Sequence, residues 1–199
     1  MSSADKNCET EVKVEISEWR RNRLINRLLA LGFTDEGIFY LSDYYVEAKE
    51  SAHGGPGTFD IERYRSDGRG KFDFTKKFWQ EVEGGEPVRV EEEHPINKEL
   101  FDAVVATHPK ALLIQKTRHL FTQTSAGGLK VSVSIDAVKF AHPPNVLRHF
   151  VEVEVLEEDP TKVKETMVFL RSLLADLLGL EALESYDAPS MFAIAFKKL

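Results

Sequence analysis

Glu9, Glu11 and Lys13 stand two residues apart in the run Glu9-Thr10-Glu11-Val12-Lys13-Val14-Glu15-Ile16, where charged positions recur at every second place. Successive side chains of a strand point to opposite faces, so this spacing puts the three charges on one face. The same spacing joins Arg63 with Arg65, Arg89 with Glu91 and Glu93, Lys116 with Arg118, and Glu152 with Glu154, while Lys77 and Asp136 are single charges on comparable runs. In any one strand the ordinary reading is a half-buried strand that shows water its charged face. Recurrence in several strands, with like signs side by side, points elsewhere, because like neighbours on a sheet are destabilising. Sorted clusters suit a polyanion bridged by hard cations: lysines and arginines grip phosphate oxygens, and carboxylates hold Mg²⁺ or Mn²⁺ against them.

The runs between these charges supply the elements that must position them. Ser17 is placed to cap a helix from Glu18 to Leu31, with Leu24, Ile25, Leu28 and Leu29 on its apolar face, Arg20, Arg21, Arg23 and Arg27 on a solvated one, and Gly32 as its stop. Strands are expected over Glu9 to Ile16, Ile38 to Val46, Phe59 to Arg65, Lys71 to Val82, Val88 to Glu93, Leu112 to Thr122, Leu129 to Phe140 and Phe150 to Leu156. Turns fall at His53 to Gly57, Asp67-Gly68-Arg69-Gly70, Gly84-Gly85 and Ser125 to Gly128. Asn97 caps a short helix ending near Thr107, and Asp159-Pro160 opens a last one through Leu178, apolar at Val163, Met167, Leu170, Leu174 and Leu177 and stopped by Gly179. Eight hairpin-connected strands with two or three helices predict an α+β fold with an antiparallel sheet. If that sheet closes into an eight-stranded barrel, the charged faces converge inside and the apolar positions face outward against the helices.

Composition bounds the function. With 199 residues, 42% of them hydrophobic and 30% charged, the chain reads as one globular domain over residues 1–199. Its longest apolar run, Met191 to Phe196, has six residues, too few to span a bilayer, and the polar N-terminus predicts a cytoplasmic protein with no membrane partner. A net charge of -7 argues against nucleic acid as a main partner, and the single Cys8 excludes an internal disulfide and a cysteine zinc site. Neither a phosphate-binding glycine loop before a helix, nor paired histidines at metal-ligand spacing, nor a nucleophile-elbow motif occurs.

Glu9-Thr10-Glu11-Val12-Lys13 resembles the E-x-E-x-K motif that opens the CYTH domains, or triphosphate tunnel metalloenzymes. The resemblance continues in order through Asp43-Tyr44-Tyr45 (D-x-Y/F), Arg63-Tyr64-Arg65 (R-x-R), Thr75-Lys76-Lys77 (T-x-K), Arg89 to Glu93 (R-x-E-x-E), Lys116-Thr117-Arg118 (K-x-R), Asp136 and Glu152-Val153-Glu154 (E-x-E). Each short motif alone is weak, but so many in order are specific. The resemblance implies a closed eight-stranded tunnel for triphosphate-containing small molecules with Mg²⁺ or Mn²⁺. Carried over by position, Lys13, Arg63, Arg65, Lys77, Arg89, Lys116 and Arg118 would contact phosphates, while Glu9, Glu11, Glu91, Glu93, Asp136, Glu152 and Glu154 would hold metals. Glu9, Glu11 and Lys13 would be the catalytic set. Lys76 is the alternative to Lys77 if the strand is bulged. Two departures stand out: Phe78-Trp79 replaces a glycine-proline after T-x-K, and Glu184-Ser185-Tyr186 replaces a late K-S-Y.

By resemblance the activity is a metal-dependent triphosphatase that removes the terminal phosphoryl group of inorganic triphosphate or a nucleoside triphosphate, an RNA 5′-triphosphate end included. Thiamine triphosphatase is an alternative, with Trp79, which shares the parity of Lys77, as a stacking surface or simple rim packing. A class IV adenylyl cyclase is disfavoured, because Ser3 and Ala4 stand where such enzymes carry His-Phe. A non-catalytic polyphosphate-binding module is the rival of another class. The oligomeric state is not readable.

Overall fold

The computed structural model describes residues 6–53, 58–81, 87–124, 128–139, 147–157 and 162–179, with backbone only at 6–9 and 156–157. The turns expected at residues 54–57, 84–85 and 125–127, Ser3 and Ala4, and the segment 184–186 lie outside the described residues.

Eight strands and three helices follow one another as β1 (Lys6–Ile16), α1 (Glu18–Ala30), β2 (Thr34–Glu50), β3 (Phe59–Ser66), β4 (Phe72–Gln80), β5 (Val88–Ile96), α2 (Lys98–Thr107), β6 (Leu112–Thr124), β7 (Lys130–Lys139), β8 (Leu147–Glu157) and α3 (Val163–Leu178). All the expected elements are present, the last helix described from Val163 because its expected opening at Asp159-Pro160 lies outside the described residues. β1, β2, β3, β5, β6 and β8 run longer than their sequence signals, most of all β2, whose ends carry too many polar residues to show a period, whereas β4 and β7 are shorter than expected, with Val82 and Phe140 outside the described residues.

The strand order around the ring is β1-β5-β4-β3-β2-β6-β7-β8, every pairing antiparallel. Closure is thinner than the expected barrel: β1 and β5 pair only from Lys6↔Glu92 to Cys8↔Val90, so the seam is short and the rest is a strongly curled sheet. Two bulges, between Asp35 and Gly37 and between Tyr45 and Glu47, let β2 bend while serving two neighbours.

Local chemistry accounts for the ends of the elements. Ser17 and Asn97 accept the backbone N–H of Arg20 and Leu100 as N-caps of α1 and α2. Gly179 closes α3 in the left-handed conformation, φ 68°. In the β3–β4 hairpin, Asp67 Oδ1 accepts the N–H groups of Arg69 (2.8 Å) and Lys71 (2.9 Å), holding the turn over Gly68 and Gly70.

The main core lies outside the sheet. Val12, Val14 and Ile16, Phe121, Val131, Val133 and Ile135, and Val151, Val153 and Val155 face Leu24 and Leu28 of α1 and Leu170, Leu174 and Leu177 of α3. Leu29, expected on the apolar face of α1, is exposed, because two leucines per two turns already cover the strip that the sheet presents. On the other side Phe101 of α2 packs on Tyr44 and Phe72. With helices and valines occupying the outer face, the alternate positions are left to point inward.

Candidate active site

Those inward positions are charged and buried. Lys13, Arg63, Lys77 and Lys116 are all below a tenth exposed, and Asp43, Asp136 and Glu152 are similarly enclosed. Such burial is tolerated only with partners. Lys13 Nζ lies 2.5 Å from Glu152 and 3.4 Å from Glu11. Lys77 is 3.2 Å and Arg63 3.7 Å from Glu91. Lys116 lies between Asp43 (3.5 Å) and Asp136 (3.4 Å). Arg65 grips Asp43 with Nε (2.6 Å) and Nη2 (3.0 Å), and Arg118 grips Asp136 with both donors at 2.8 Å while Nη2 reaches Glu152 at 3.2 Å. Arg89 Nη1 approaches Glu11 at 3.4 Å.

The signs sorted along each strand are therefore mixed across strands. Register sets Lys13 opposite Glu152, Arg65 opposite Asp43, Lys77 opposite Glu91 and Arg118 opposite Asp136. The like-charged neighbours that look costly within a strand are offset by opposite charges one strand away.

This network holds its members ionised. Burial pushes Asp43 toward protonation, but Arg65, Lys116 and Arg63 outweigh it and keep its carboxyl well below the ordinary range. Glu152 is held low against its burial by Lys13 and Arg118, and Asp136 likewise by Arg118 and Lys116. Burial, reinforced by Arg118, pulls Lys116 down to about 8. Arg63 Nη2 donates to Thr75 Oγ1 at 2.9 Å, whereas its buried Nε has no hydrogen-bond partner. An N–H held in this way inside a cationic ring is a donor for a ligand oxygen.

The structure decides between the two lysines of T-x-K. Lys77 points inward, and Lys76 is half-exposed beside Glu62 on the outer face. Trp79 is half-buried opposite Arg89, its backbone N–H on Asp60. Glu93 is exposed near Arg63. Glu9 lies in β1 with its side chain outside the described residues. Asp43 is the residue that sequence reasoning underused: its D-x-Y/F motif was visible, but only the fold shows it fixing Arg65 and Lys116 together.

Among the described residues no three carboxylates yet converge as a ready metal cage. The donor set still fits a hard divalent cation. Glu11 and Glu154 are direct cross-strand partners, with Glu152 two residues from Glu154. Facing carboxylates on adjacent strands repel unless a cation lies between them.

The CYTH domain family matches residues 7–182. This chain belongs to the CYTH domain family. Its fold is that of several solved structures. A protein of Pyrococcus horikoshii OT3 is similar over 94% of this chain and 98% of its own, with 19% identity and a TM-score of 0.62. A Hippeastrum protein, described as a candidate adenylyl cyclase that reveals a dominant triphosphatase activity, covers 96% of this CYTH chain with 97% of its own at 16% identity and a TM-score of 0.60. The mimivirus capping enzyme triphosphatase matches over 89% of this chain and 91% of its own, with 12% identity and a TM-score of 0.50. No curated protein sequence matches it. Among the described residues, no helix is long and apolar enough to cross a membrane.

Proposed function

We propose that this CYTH protein is a metal-dependent triphosphatase acting on inorganic triphosphate or a nucleoside triphosphate. The observation that carries the reading is the ring of buried cations, Lys13, Arg63, Lys77 and Lys116 with Arg65, Arg89 and Arg118, turned into one enclosed space beside Glu11 and Glu154. So many positive charges are held inside a fold at a high desolvation cost when their ligand is a polyanion. The activities described for the Hippeastrum and mimivirus proteins are consistent with it.

In this reading the phosphate oxygens displace Glu11 and Glu152 from Lys13. Asp43 and Asp136 stay in place and aim Arg65, Lys116 and Arg118, so the donors are oriented before the substrate arrives. Lys13, next to Glu11 and Glu152, holds the phosphoryl group nearest the acidic strands. Glu11, Glu152 and Glu154, with Glu9 from its place in β1, are the residues that would hold Mg²⁺ or Mn²⁺. Such a cation supplies charge neutralisation and an activated water for in-line attack. Glu91, Glu93 and Asp136, grouped with the metal ligands on sequence, serve here to balance and orient Lys77, Arg63 and Arg118. The cytoplasm is the compartment this activity fits.

Phosphate release from triphosphate with Mg²⁺, Mn²⁺ or excess EDTA tests the reading. Release with metal and none with EDTA is expected; tight binding without release in any condition would make the protein a phosphate-binding module. A panel adding ATP, GTP, RNA 5′-triphosphate and thiamine triphosphate identifies the substrate.

A further inference from the structure

Not all of the inward face is charged. Tyr45, Ile61, Ile114, Val138 and Phe150 form a second apolar cluster, joined by Ala48, Phe59 and Leu112, and separate from the core under the helices. Register shows that it is inside. Tyr45 is the direct partner of Arg63, Ile61 of Lys77, Ile114 of Asp43, Val138 of Lys116 and Phe150 of Asp136, and cross-strand partners share a face. The five come from β3, β2, β6, β7 and β8, which are consecutive in the ring. Each lies on the same side of the charged layer, toward the end where β6 and β8 begin. Tyr45 and Val138 follow Asp43 and Asp136, whereas Ile61, Ile114 and Phe150 precede Arg63, Lys116 and Glu152, which on antiparallel strands is one direction. Ile114, Val138 and Phe150 are 0% exposed. Beyond them lies the Arg148–Glu15 ion pair, with Arg148 over the Phe150 ring.

Toward the other end most inward positions are polar, although Leu41 beside Lys116 is not, and the arginines are more open. Arg65 and Arg118 are 15% and 14% exposed at the side chain, against 4% for Lys116 and 0% for Asp43. Next to Arg118 comes its register partner Phe39, with the guanidinium of Arg69 stacked on the ring at 4.2 Å.

We propose that the tunnel is blind, walled by Tyr45, Ile61, Ile114, Val138 and Phe150, so that it accepts a linear phosphate chain only by a free end entering beside Arg65 and Arg118. The inference rests on the triphosphatase reading for its ligand and extends it to the substrate class. A phosphate chain cannot thread past the wall, because each charged oxygen would lose water there without gaining a donor. The remainder of the substrate, an organic group or further phosphates, stays at the mouth beside Phe39 and Arg69. Trp79 lies on the walled side of Lys77, so it is not the surface on which that remainder stacks.

The test uses the unaltered protein and three probes: tripolyphosphate, a medium-length linear polyphosphate with free ends, and the same chain with both ends blocked as phosphoramidates. Calorimetry is expected to show the blocked chain binding about tenfold more weakly or worse, as expected for loss of the charge-assisted contacts to one terminal group. With Mg²⁺ the free chain should shorten stepwise from its end. Equal affinity for blocked and free chains, or internal fragments of intermediate size, would overturn the blind tunnel. Preference for free ends without any hydrolysis would overturn the triphosphatase reading and leave the wall standing. No binding of any probe would overturn both.

Discussion

At the scale of single residues, the site is a set of charges that cannot be removed singly without cost. Asp43 is fully enclosed and faces both Arg65 and Lys116. Replacing it by Asn leaves two buried cations short of an anion, a loss of about 3 kcal/mol. Against its burial, Arg65, Lys116 and Arg63 hold its folded carboxyl well below the ordinary aspartate value of about 4. The native state therefore binds fewer protons than the unfolded chain below that value, and stability present above about pH 4 is lost as the pH falls further. Urea unfolding of Asp43→Asn beside the native protein is expected to show the lower stability at pH 7 and a flatter decline in acid. Glu11→Gln keeps the shape of the strand but removes a carboxylate facing Glu154. In the proposed mechanism it abolishes phosphate release while calorimetric binding of triphosphate is largely retained.

At the scale of elements, α3 and α1 act on the site only through the sheet. Leu174 of α3 is 0% exposed against the valines of β1 and β8. Leu174→Ala removes packing and leaves a cavity, a loss of about 3 kcal/mol that denaturant unfolding measures. Because the valines it touches face away from the charged positions, triphosphate affinity of the folded variant should be close to native. A large fall in affinity at full folding would mean that the helix layer sets the geometry of the tunnel. The arginines of α1 had a solvated look in the sequence, and Arg23 lies over the exposed Trp19 at 4.8 Å.

At the scale of the whole molecule, what matters is that charges from eight strands share one interior. Arg65→Ala takes away one inward cation and half the partners of Asp43, so both affinity and rate for triphosphate should fall. Arg20→Ala removes the same charge from the exposed face of α1, outside the ring, where a surface charge contributes little. Steady-state kinetics of the two variants side by side test convergence itself. Equal effects would mean that the strand charges do not act on a common ligand.

The sequence by itself determined the strands, the helices, their caps and which strand face is charged, because these depend on local alternation, on Ser17, Asn97 and Gly179, and on short-range sterics. It also carried the ordered motifs from Glu9 to Glu154 that place the chain in its family. Only the tertiary structure decided which charge meets which. The register that pairs Lys13 with Glu152 and sets Asp43 between Arg65 and Lys116 joins residues far apart along the chain. The choice of Lys77 over Lys76 needed the absence of a bulge in β4, and the short β1–β5 seam needed the curl of the entire sheet. Phe150 and Val138 looked in sequence like ordinary strand apolars. Whether such a side chain faces helices or closes a tunnel follows from its partner across the sheet, which no local pattern specifies.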